Sequence, residues 1–476
     1  MRCTAALTLA TGLISLTDGL QLAKRTNSAP KVVGAEIQRR HVSNPVERDQ
    51  QRRRRKRDTL QATLDNLETL YFANASLGTP AQSLRLHLDT GSSDLWVNTD
   101  DSDLCSSAKS GCSIAGTYSA NDSSTYEYVN SLFNISYVDG SGASGDYVKD
   151  TFSFGGTNLT DMQFGVGYTS SSAEGVLGIG YTRNEVAVNR AGLDAYPNLP
   201  QLLVNKGMIQ SNAYSLWLND LDASRGNILF GGVDTEKYHG TLSTLPILKE
   251  NGQYRELVIA MTGVGSNGNI GTYLNSNTSS ADITPVLLDT GSSLTYLPDT
   301  VVDSIYTDFD AIYDEDEGAA FIDCNKASST DTLEFTFSSP TISVPMNELV
   351  LLAGYSKGQA VCILGISPAG DSTAVLGDTF LRSAYVVYDL ANNEISLAQT
   401  NYNATDSSIE EITTGTDSVP DATGVANAVS AVVAATGAAR NGGLDISSDN
   451  AALPMKTAMP MAPIAAAAAA GLLFAL

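Results

Sequence analysis

Histidine and cysteine are scarce in this chain, which has 3 histidines and 5 cysteines among its 476 residues. No Cys-x-x-Cys pair occurs, so a common ligand spacing of zinc sites is missing. Neither His87 nor His239 lies near a nucleophile motif, which disfavours a serine or cysteine hydrolase. We therefore predict a protein that uses no metal ion and no cofactor.

Basic residues are also few, with 28 Lys and Arg against 52 Asp and Glu and a net charge of −24. Residues 1–57 hold 13 of the basic residues, and without them and the apolar tail around Lys456 the net charge is about −34. Such an acidic body repels anionic polymers, so we expect no nucleic-acid binding. The same acidity also serves solubility alone.

Long hydrophobic runs are missing too, apart from a short run at each end. Residues 1–19 carry Arg2 and then the apolar stretch Ala5–Leu16, which is typical of a secretory signal peptide and too short to span a bilayer. Residues 20–57 are polar and basic, and end in a run of Arg and Lys at 52–57. We predict a pro-segment that is removed by cleavage after Arg57 and that covers an acidic cleft before its release.

The C-terminal part of the chain changes in composition. Residues 401–450 are rich in Thr, Ser, Ala and Gly, without an aromatic residue after Tyr402, which predicts a flexible stalk that buries little surface. Residues 451–476 end in an apolar run behind small residues and a spacer, as in a removed glycolipid (GPI) anchor signal. Asn450 is the predicted attachment residue and Asn441 the alternative. A marginal transmembrane helix is the other interpretation.

One pentapeptide occurs twice, with Asp-Thr-Gly-Ser-Ser at residues 89–93 and again at residues 289–293. Each copy follows a short apolar run, Leu84–Leu88 or Val286–Leu288, that predicts a buried strand. A carboxyl group at the end of such a strand is costly to bury unless it is paired or hydrogen-bonded. Two close carboxylates hold one proton between them at mildly acidic pH, so together they can activate water and donate a proton.

From about Leu70 to Gln399 the chain resembles the pepsin-type aspartic proteases. Besides the doubled pentapeptide, the resemblance rests on Trp96, Tyr137–Ser141, Gly175–Gly180, Leu229–Asp234 and Val375–Arg382. It implies an all-β, bilobal fold with the active site in the cleft between two similar lobes, at residues 58–240 and 241–400. Short strands separated by Gly, Asn, Asp and Ser turns also predict an all-β body. Short helices are expected only around Leu199–Lys206 and Asp299–Tyr313.

The resemblance assigns catalysis to Asp89 and Asp289, which would hold an attacking water without any covalent intermediate. It gives paired supporting roles to the residues that follow each aspartate: a hydrogen-bond lock between the loops to Thr90 and Thr290, close backbone approach to Gly91 and Gly291, and a bond to the outer carboxylate oxygen to Ser92 and Ser292.

The segment around Tyr137 resembles the flap hairpin that closes over substrate in this family. Trp96 would pack beneath it and donate its indole N–H to the tyrosine hydroxyl. The flap tip would contain Asp139, Gly140 and Ser141, with glycine supplying mobility.

The acids Asp100, Asp101, Asp103 and Asp139 are predicted to rim the cleft and to favour Lys or Arg next to the scissile bond. Together with the basic pro-segment, the stalk and the anchor signal, they resemble the yapsin group of fungal surface proteases, which cut at basic residues. Broad cleavage between apolar residues stays open, because the long acidic insertion of many yapsins is missing here. An inactive surface binding protein on the same fold and a structural cell-wall glycoprotein are further alternatives.

The resemblance favours the disulfides Cys105–Cys112 and Cys324–Cys362 among the three pairings that four cysteines permit, in keeping with an oxidising compartment. Six Asn-x-Ser/Thr sequons are candidate N-glycosylation sites: Asn74, Asn121, Asn134, Asn158, Asn277 and Asn403. We expect a monomer that acts on polypeptides at the extracellular face of the cell, anchored to the plasma membrane or cell wall.

Overall fold

The computed structural model describes residues 30–42, 68–106, 111–137, 141–223, 225–275 and 283–430. Within these ranges the chain is mostly β-strand, which confirms the all-β prediction. The strands up to residue 246 are β1 (Val33–Val42), β2 (Glu68–Leu77), β3 (Gln82–Asp89), β4 (Leu95–Asn98), β5 (Glu127–Ser136), β6 (Gly142–Phe154), β7 (Thr157–Ser170), β8 (Gly175–Gly178), β9 (Ala213–Trp217), β10 (Arg225–Phe230), β11 (Gly232–Asp234) and β12 (Tyr238–Pro246). Those that follow are β13 (Val258–Met261), β14 (Gly263–Ser266), β15 (Asn269–Asn275), β16 (Thr284–Leu288), β17 (Thr295–Leu297), β18 (Ile312–Asp314), β19 (Ala319–Ile322), β20 (Thr332–Thr336), β21 (Thr341–Pro345), β22 (Val350–Ser356), β23 (Gln359–Leu364), β24 (Ile366–Pro368), β25 (Ala374–Leu376), β26 (Ala384–Asp389), β27 (Glu394–Thr400), β28 (Ile409–Glu411) and β29 (Ala422–Gly424).

The helices are short. They are α1 (Cys112–Ala115), α2 (Val186–Asn189), α3 (Leu199–Asn205), α4 (Asp299–Phe309), α5 (Met346–Leu349) and α6 (Asp378–Leu381). The predicted helix Asp299–Tyr313 is too long: it ends at Phe309 because Asp310 takes a left-handed conformation, with φ of 56°, and β18 follows. Among the described residues, no helix is long and apolar enough to cross a membrane.

The largest sheet has 14 strands in the order β29-β12-β27-β26-β9-β10-β1-β2-β3-β8-β4-β7-β6-β5. It takes strands from both halves of the chain, because β9 pairs antiparallel with β26, with Leu216 opposite Val386. The predicted domain boundary between residues 240 and 241 falls inside β12. The two predicted lobes therefore share one sheet, in which each half covers a strand edge of the other.

Two further parts of the fold support the two copies of the pentapeptide. In the large sheet, β3 pairs in parallel with β8, so that Asp89 lies beside Gly178. In a five-stranded sheet of order β13-β16-β25-β17-β24, β16 pairs in parallel with β25, with Leu288 beside Leu376. Each aspartate thus lies at the end of a buried strand that pairs with an apolar-apolar-Gly segment, as the sequence repeat indicates.

The predicted pro-segment contains a strand that the sequence did not indicate. β1 lies between β2 and β10 and pairs antiparallel with both. Val33 and Ile37 alternate onto the buried face of this strand, which ties it to the core although its neighbours are polar. Residues 43–57, including the basic run and Arg57, lie outside the described residues, as do residues 1–29 of the predicted signal peptide and early pro-segment.

The predicted stalk is wrong for its first thirty residues. Residues 401–430, here called the C-terminal strap, pack against the body through β28, which pairs with β11, and β29, which pairs in parallel with β12. Serine hydroxyls bond to buried acids of the body: Ser407 to Asp234 at 2.7 Å and Ser418 to Asp389 at 2.6 Å. Composition underestimates how firmly this segment packs, because its hydroxyl groups bond to the body and a few buried aliphatic side chains are enough to hold it there. Residues 431–476, with both anchor candidates, lie outside the described residues.

We predict that Ile412→Ala destabilises the protein by about 2–4 kcal/mol. Ile412 is a fully buried residue of the strap and belongs to the same apolar cluster as Trp217 and Tyr385. Ile409 is 43% exposed on the same strap, so Ile409→Ala is the matched control and should cost under about 1 kcal/mol. Urea unfolding of both variants measures the difference. Equal and small losses of stability in the two variants would contradict the view that buried apolar side chains of the strap stabilise the fold.

Candidate active site

The two aspartates are held in equivalent positions by the strand-to-loop turns at the ends of β3 and β16. Asp89 is 5% exposed and Asp289 is 6% exposed. The backbone N–H of Gly91 donates to Oδ1 of Asp89 at 2.8 Å, and that of Gly291 donates to Oδ1 of Asp289 at 2.8 Å. Each carboxylate thus accepts a bond from its own turn, which lowers the cost of burying it.

The glycines show how close the two carboxylates are. A Cβ on Gly291 would lie 2.7 Å from Oδ1 of Asp89 and 2.9 Å from Oδ1 of Asp289. A Cβ on Gly91 would lie 2.4 Å from Oδ1 of Asp289. Both inner oxygens therefore converge on one point, and glycine is required at both turns because no side chain fits there.

The outer carboxylate oxygens are bound by serine hydroxyls, and the loops are joined by threonines. Ser92 donates to Oδ2 of Asp89, and Ser292 donates to Oδ2 of Asp289 at 3.0 Å. The two threonines exchange bonds, from Thr90 N–H to Thr290 Oγ1 at 3.1 Å and from Thr290 N–H to Thr90 Oγ1 at 3.0 Å. Each hydroxyl also donates to the strand of the other copy, Thr90 to the Leu288 carbonyl oxygen and Thr290 to that of Leu88, both at 2.8 Å. This two-fold arrangement fixes the separation of the aspartates.

His87 adds a contact that sequence reasoning missed. Its Nε2 lies 3.2 Å from the carbonyl oxygen of Thr290, which can only accept, so the ring nitrogen donates. His87 sits on β3, two residues before Asp89, and is 2% exposed. The sequence signal for this contact is the position of His87 on the strand that ends in Asp89.

The flap residues lie at the turn between β5 and β6. The indole N–H of Trp96 donates to the hydroxyl of Tyr137 at 2.7 Å. The backbone N–H of Tyr137 donates to the carbonyl oxygen of Ser141 at 2.8 Å, which closes the hairpin. Asp139 and Gly140 lie outside the described residues.

A pair of buried acids lies beneath this hairpin and was also missed. Asp94 follows the first pentapeptide directly, and its carboxylate accepts from the hydroxyls of Tyr147 at 2.6 Å and Tyr196 at 2.8 Å. Glu185 accepts from the backbone N–H of Tyr196 at 2.9 Å, while its other carboxyl oxygen has no partner among the described groups. Burial, and then the charge of Asp94, raises the pKa of Glu185 to about 10, and burial raises the pKa of Asp94 as well.

We predict that Glu185→Gln makes the protein more stable at neutral pH. Because the folded-state pKa of Glu185 lies above its unfolded value of 4.5, its contribution to stability is complete below that pH and is lost as the pH rises toward 10. The variant should match the wild type at pH 4 and exceed it by about 2–3 kcal/mol at pH 7. Urea unfolding at both pH values tests this, with the exposed Glu127→Gln as control, and a gain of the same size at pH 4 would refute the titration argument.

Both cysteine pairs are joined as disulfides in the structure, with Cα–Cα distances of 5.5 Å for Cys105–Cys112 and 5.2 Å for Cys324–Cys362. The loop at the first disulfide presents Asp100, Asp101 and Asp103 to solvent. Within the described parts of the chain, no group of three or more His, Cys, Asp or Glu side chains is placed to hold a metal ion.

The sequons differ in exposure. Four lie on the surface: Asn74, Asn121, Asn158 and Asn403. Asn134 is partly buried within β5, and its backbone carbonyl accepts from Arg190 at 2.9 Å. Asn277 lies outside the described residues. A glycan on Asn134 would be harder to accommodate than one on the other four.

Known proteins are similar to this chain in sequence and in fold. A family model described as "Eukaryotic aspartyl protease" matches residues 70–400. The "Probable aspartic-type endopeptidase opsB" of Aspergillus oryzae is 57% identical over 430 residues, which cover 90% of this chain and 88% of that protein. The "Secreted aspartic protease 3" of Candida albicans is 39% identical over 73% of this chain and 83% of that protein. The crystal structure of an aspartic proteinase from Irpex lacteus aligns with a TM-score of 0.58 at 21% identity, over 79% of this chain and 100% of that one, and so shows the fold.

Proposed function

This chain belongs to the eukaryotic aspartyl protease family and is an aspartic-type endopeptidase, and we propose that Asp89 and Asp289 are its two catalytic carboxylates. One accepts a proton from a water held between them, while the other protonates the carbonyl oxygen of the scissile amide. The water oxygen bonds to the carbonyl carbon and gives a tetrahedral diol. Collapse of the diol breaks the C–N bond: the amine nitrogen takes the proton that the first aspartate had accepted from the water, and a diol hydroxyl returns a proton to the second aspartate.

The convergence of the two inner carboxylate oxygens is the observation that carries this proposal, since both lie within 3 Å of one point beside Gly291. A water oxygen at that point would lie within hydrogen-bond distance of both carboxylates and would bridge them. A peptide analogue whose hydroxyl replaces this water, such as a statine-containing peptide, should therefore inhibit competitively. If it leaves hydrolysis unaffected at saturating concentration, the assignment fails.

The hairpin between β5 and β6 acts in this proposal as the flap over the substrate. Tyr137 is held by Trp96 on one side and by its backbone bond to Ser141 on the other. Closure of such a hairpin excludes water and aligns the peptide as an added strand. Asp139 and Gly140 form its tip in the sequence.

We infer a preference for Lys or Arg next to the scissile bond. Asp139 at the flap tip and three exposed acids at the first disulfide, Asp100, Asp101 and Asp103, support it, because an ion pair in a partly desolvated site favours a basic side chain. The alternative is broad cleavage between apolar residues, since acidic surfaces also serve solubility.

Two peptides that differ only at the cleavage site separate these specificities. The wild type should cleave a Lys-Arg peptide with higher kcat/KM than an apolar analogue, by about tenfold, and Asp139→Ser should remove most of that ratio. Asp194→Ser changes an exposed acid elsewhere and is the matched control. Equal kcat/KM values for both peptides in the wild type would remove the specificity claim.

We also propose that the enzyme is made as a zymogen and acts as a monomer outside the cell. The support is the sequence order of apolar leader, basic pro-segment ending at Arg57, body, and C-terminal run with Asn450 or Asn441 as anchor residue. A relative that carries the name of a secreted protease agrees with export. Exposed sequons and two disulfides are also expected of an extracellular protein.

Mass spectrometry of both termini of the protein from its native host tests this organisation. We expect a chain that begins at Asp58 and ends in a glycolipid on Asn450 or Asn441, with Asn74, Asn121, Asn158 and Asn403 glycosylated ahead of Asn134. A mature chain that keeps residues 451–476 would exclude the anchor, and one that keeps residues 1–19 would exclude export by a cleaved signal.

A further inference from the structure

An open groove of about 770 Å³ lies where five stretches of the chain meet. They are the segment 181–183 after β8, residues 201–212 around α3, the turn 252–254, the turn 390–393 between β26 and β27, and residues 414–415 of the C-terminal strap. None of the residues proposed for catalysis lines it. We call it the amide groove, because side-chain carboxamides dominate its lining.

The chemistry of the lining differs from that of the rest of the surface. Six of the 17 lining residues are carboxamides, and Arg183 is the one with a charged side chain. The whole chain, in contrast, has 52 acidic and 28 basic residues. A carboxamide offers donors and an acceptor together, which matches a hydroxyl that both donates and accepts. The groove is therefore suited to an uncharged ligand with many hydroxyl groups.

Two tyrosine rings in the groove provide an apolar face. The rings of Tyr181 and Tyr254 stack, with centroids 6.4 Å apart and planes inclined by 27°. The hydroxyl of Tyr181 donates to Oδ1 of Asn393 at 3.2 Å, and the Lys249 ammonium lies 5.0 Å from the centroid of the Tyr254 ring. These contacts fix the rings before a ligand binds. The negative face of an aromatic ring attracts the polarised C–H groups of a sugar.

Hydrogen-bonding capacity is left over beside these rings. The side-chain N–H groups of Asn393 and the carboxamide of Gln210 bond to no group in the described residues. Asn212 donates to Gln201 at 3.2 Å, while its own Oδ1 is buried without a partner in the described part of the chain. A polar atom left in that state costs stability, which a donor group that reaches it would restore.

We propose that the amide groove binds a neutral oligosaccharide. A peptide is disfavoured because turns and a short helix line the groove, not a free strand edge, and because Val204, Leu390 and Ala391 are its only aliphatic side chains among the described lining residues. An anion is disfavoured because Arg183 is the one charged side chain of the lining and the Lys249 ammonium lies on the Tyr254 ring. The proposal does not depend on the catalytic assignment of the aspartates.

Saturation-transfer NMR and titration with three neutral hexasaccharides test the proposal: a β-1,3-linked glucan, a β-1,4-linked N-acetylglucosamine oligomer and an α-1,6-linked mannan. The full chain is first treated with an endoglycosidase, so that its own glycans do not compete. We expect at least one probe to bind with a Kd of about 10 mM or tighter. Tyr254→Ala should weaken that binding about tenfold, and Gln253→Ala several-fold.

Tyr355→Ala is the matched control, because Tyr355 is 71% exposed on the hairpin of β22 and β23 and does not line the groove. It should leave sugar binding unchanged, and all three variants should keep wild-type hydrolysis of a reference peptide, which also reports that they fold. The proposal is overturned if no probe binds, if Tyr254→Ala and Gln253→Ala both bind as the wild type does, or if the peptide 431–450 binds the groove and the sugars do not.

Discussion

Asp89→Asn is expected to lower kcat for peptide hydrolysis by about 10³-fold or more while leaving the fold intact. Asparagine has the size of aspartate. Its amide oxygen can still accept the bond from the Gly91 N–H, and its amide N–H can donate to the Ser92 hydroxyl oxygen in place of the bond that the carboxylate accepts. It cannot take a proton from water, and loss of one acid–base group costs about 10²–10⁴-fold in rate. Because the two carboxylates act as one unit, Asp289→Asn should cost as much, and the double variant little more.

Steady-state hydrolysis of a quenched fluorescent peptide measures this loss of kcat. Urea unfolding of the same variants measures their stability and so reports whether the hydrogen-bond lock between Thr90 and Thr290 is kept. Asp194→Asn, on an exposed position, is the matched control and should keep full activity. An Asp89→Asn enzyme with more than about a tenth of wild-type kcat would remove the paired-carboxylate mechanism, provided that its stability is unchanged.

The sequence indicates the centre of the candidate site through a local repeat, whereas no local pattern indicates the residues around that centre. Two identical pentapeptides after apolar runs indicate two equivalent turns, and equivalent turns in one molecule can face each other across a two-fold axis. The contacts of His87, Asp94 and Glu185 depend instead on how distant strands cross, and no local pattern encodes that. Of the three, Asp94 has the clearest signal in the sequence, because a carboxylate directly after a buried turn needs a hydrogen-bond partner.

The fold shows the same division between local and distant information. The all-β character follows from short strands and turn residues, but the pairing of β9 with β26 between the two halves is a long-range contact. β1 and the C-terminal strap were misjudged because composition averages over many polar residues. A strand in a sheet needs only two or three buried side chains, such as Val33 and Ile37, once its backbone finds neighbours on both sides.

Arg382→Met is expected to destabilise the protein by about 3–5 kcal/mol, the largest effect on stability that we predict. Arg382 follows α6 and Glu348 lies in α5, and both side chains are 0% exposed. The guanidinium Nε donates to the Glu348 carboxylate, and one terminal nitrogen donates to the Glu348 backbone oxygen at 2.6 Å. Burial lowers the pKa of Arg382, but the charge of Glu348, the hydrogen bond to it and the nearby Tyr71 and Asp378 together raise that pKa by more, so the guanidinium stays charged. Methionine keeps the apolar stem of the side chain but removes the guanidinium, which leaves the Glu348 carboxylate buried without its arginine partner.

The double variant Arg382→Met/Glu348→Gln separates the buried charge from the lost packing. Glutamine is neutral and can still accept the bond that the Leu221 N–H donates to Glu348 at 3.0 Å, so the second change should recover about 2 kcal/mol or more of the loss. Arg225→Met is the matched control, because the Arg225–Glu36 pair joins the same kinds of side chain at 3.0 Å but those side chains are 67% and 42% exposed. Its loss should cost under about 1 kcal/mol. If the double variant is no more stable than Arg382→Met in urea unfolding, the cost lies in packing and not in the unpaired carboxylate.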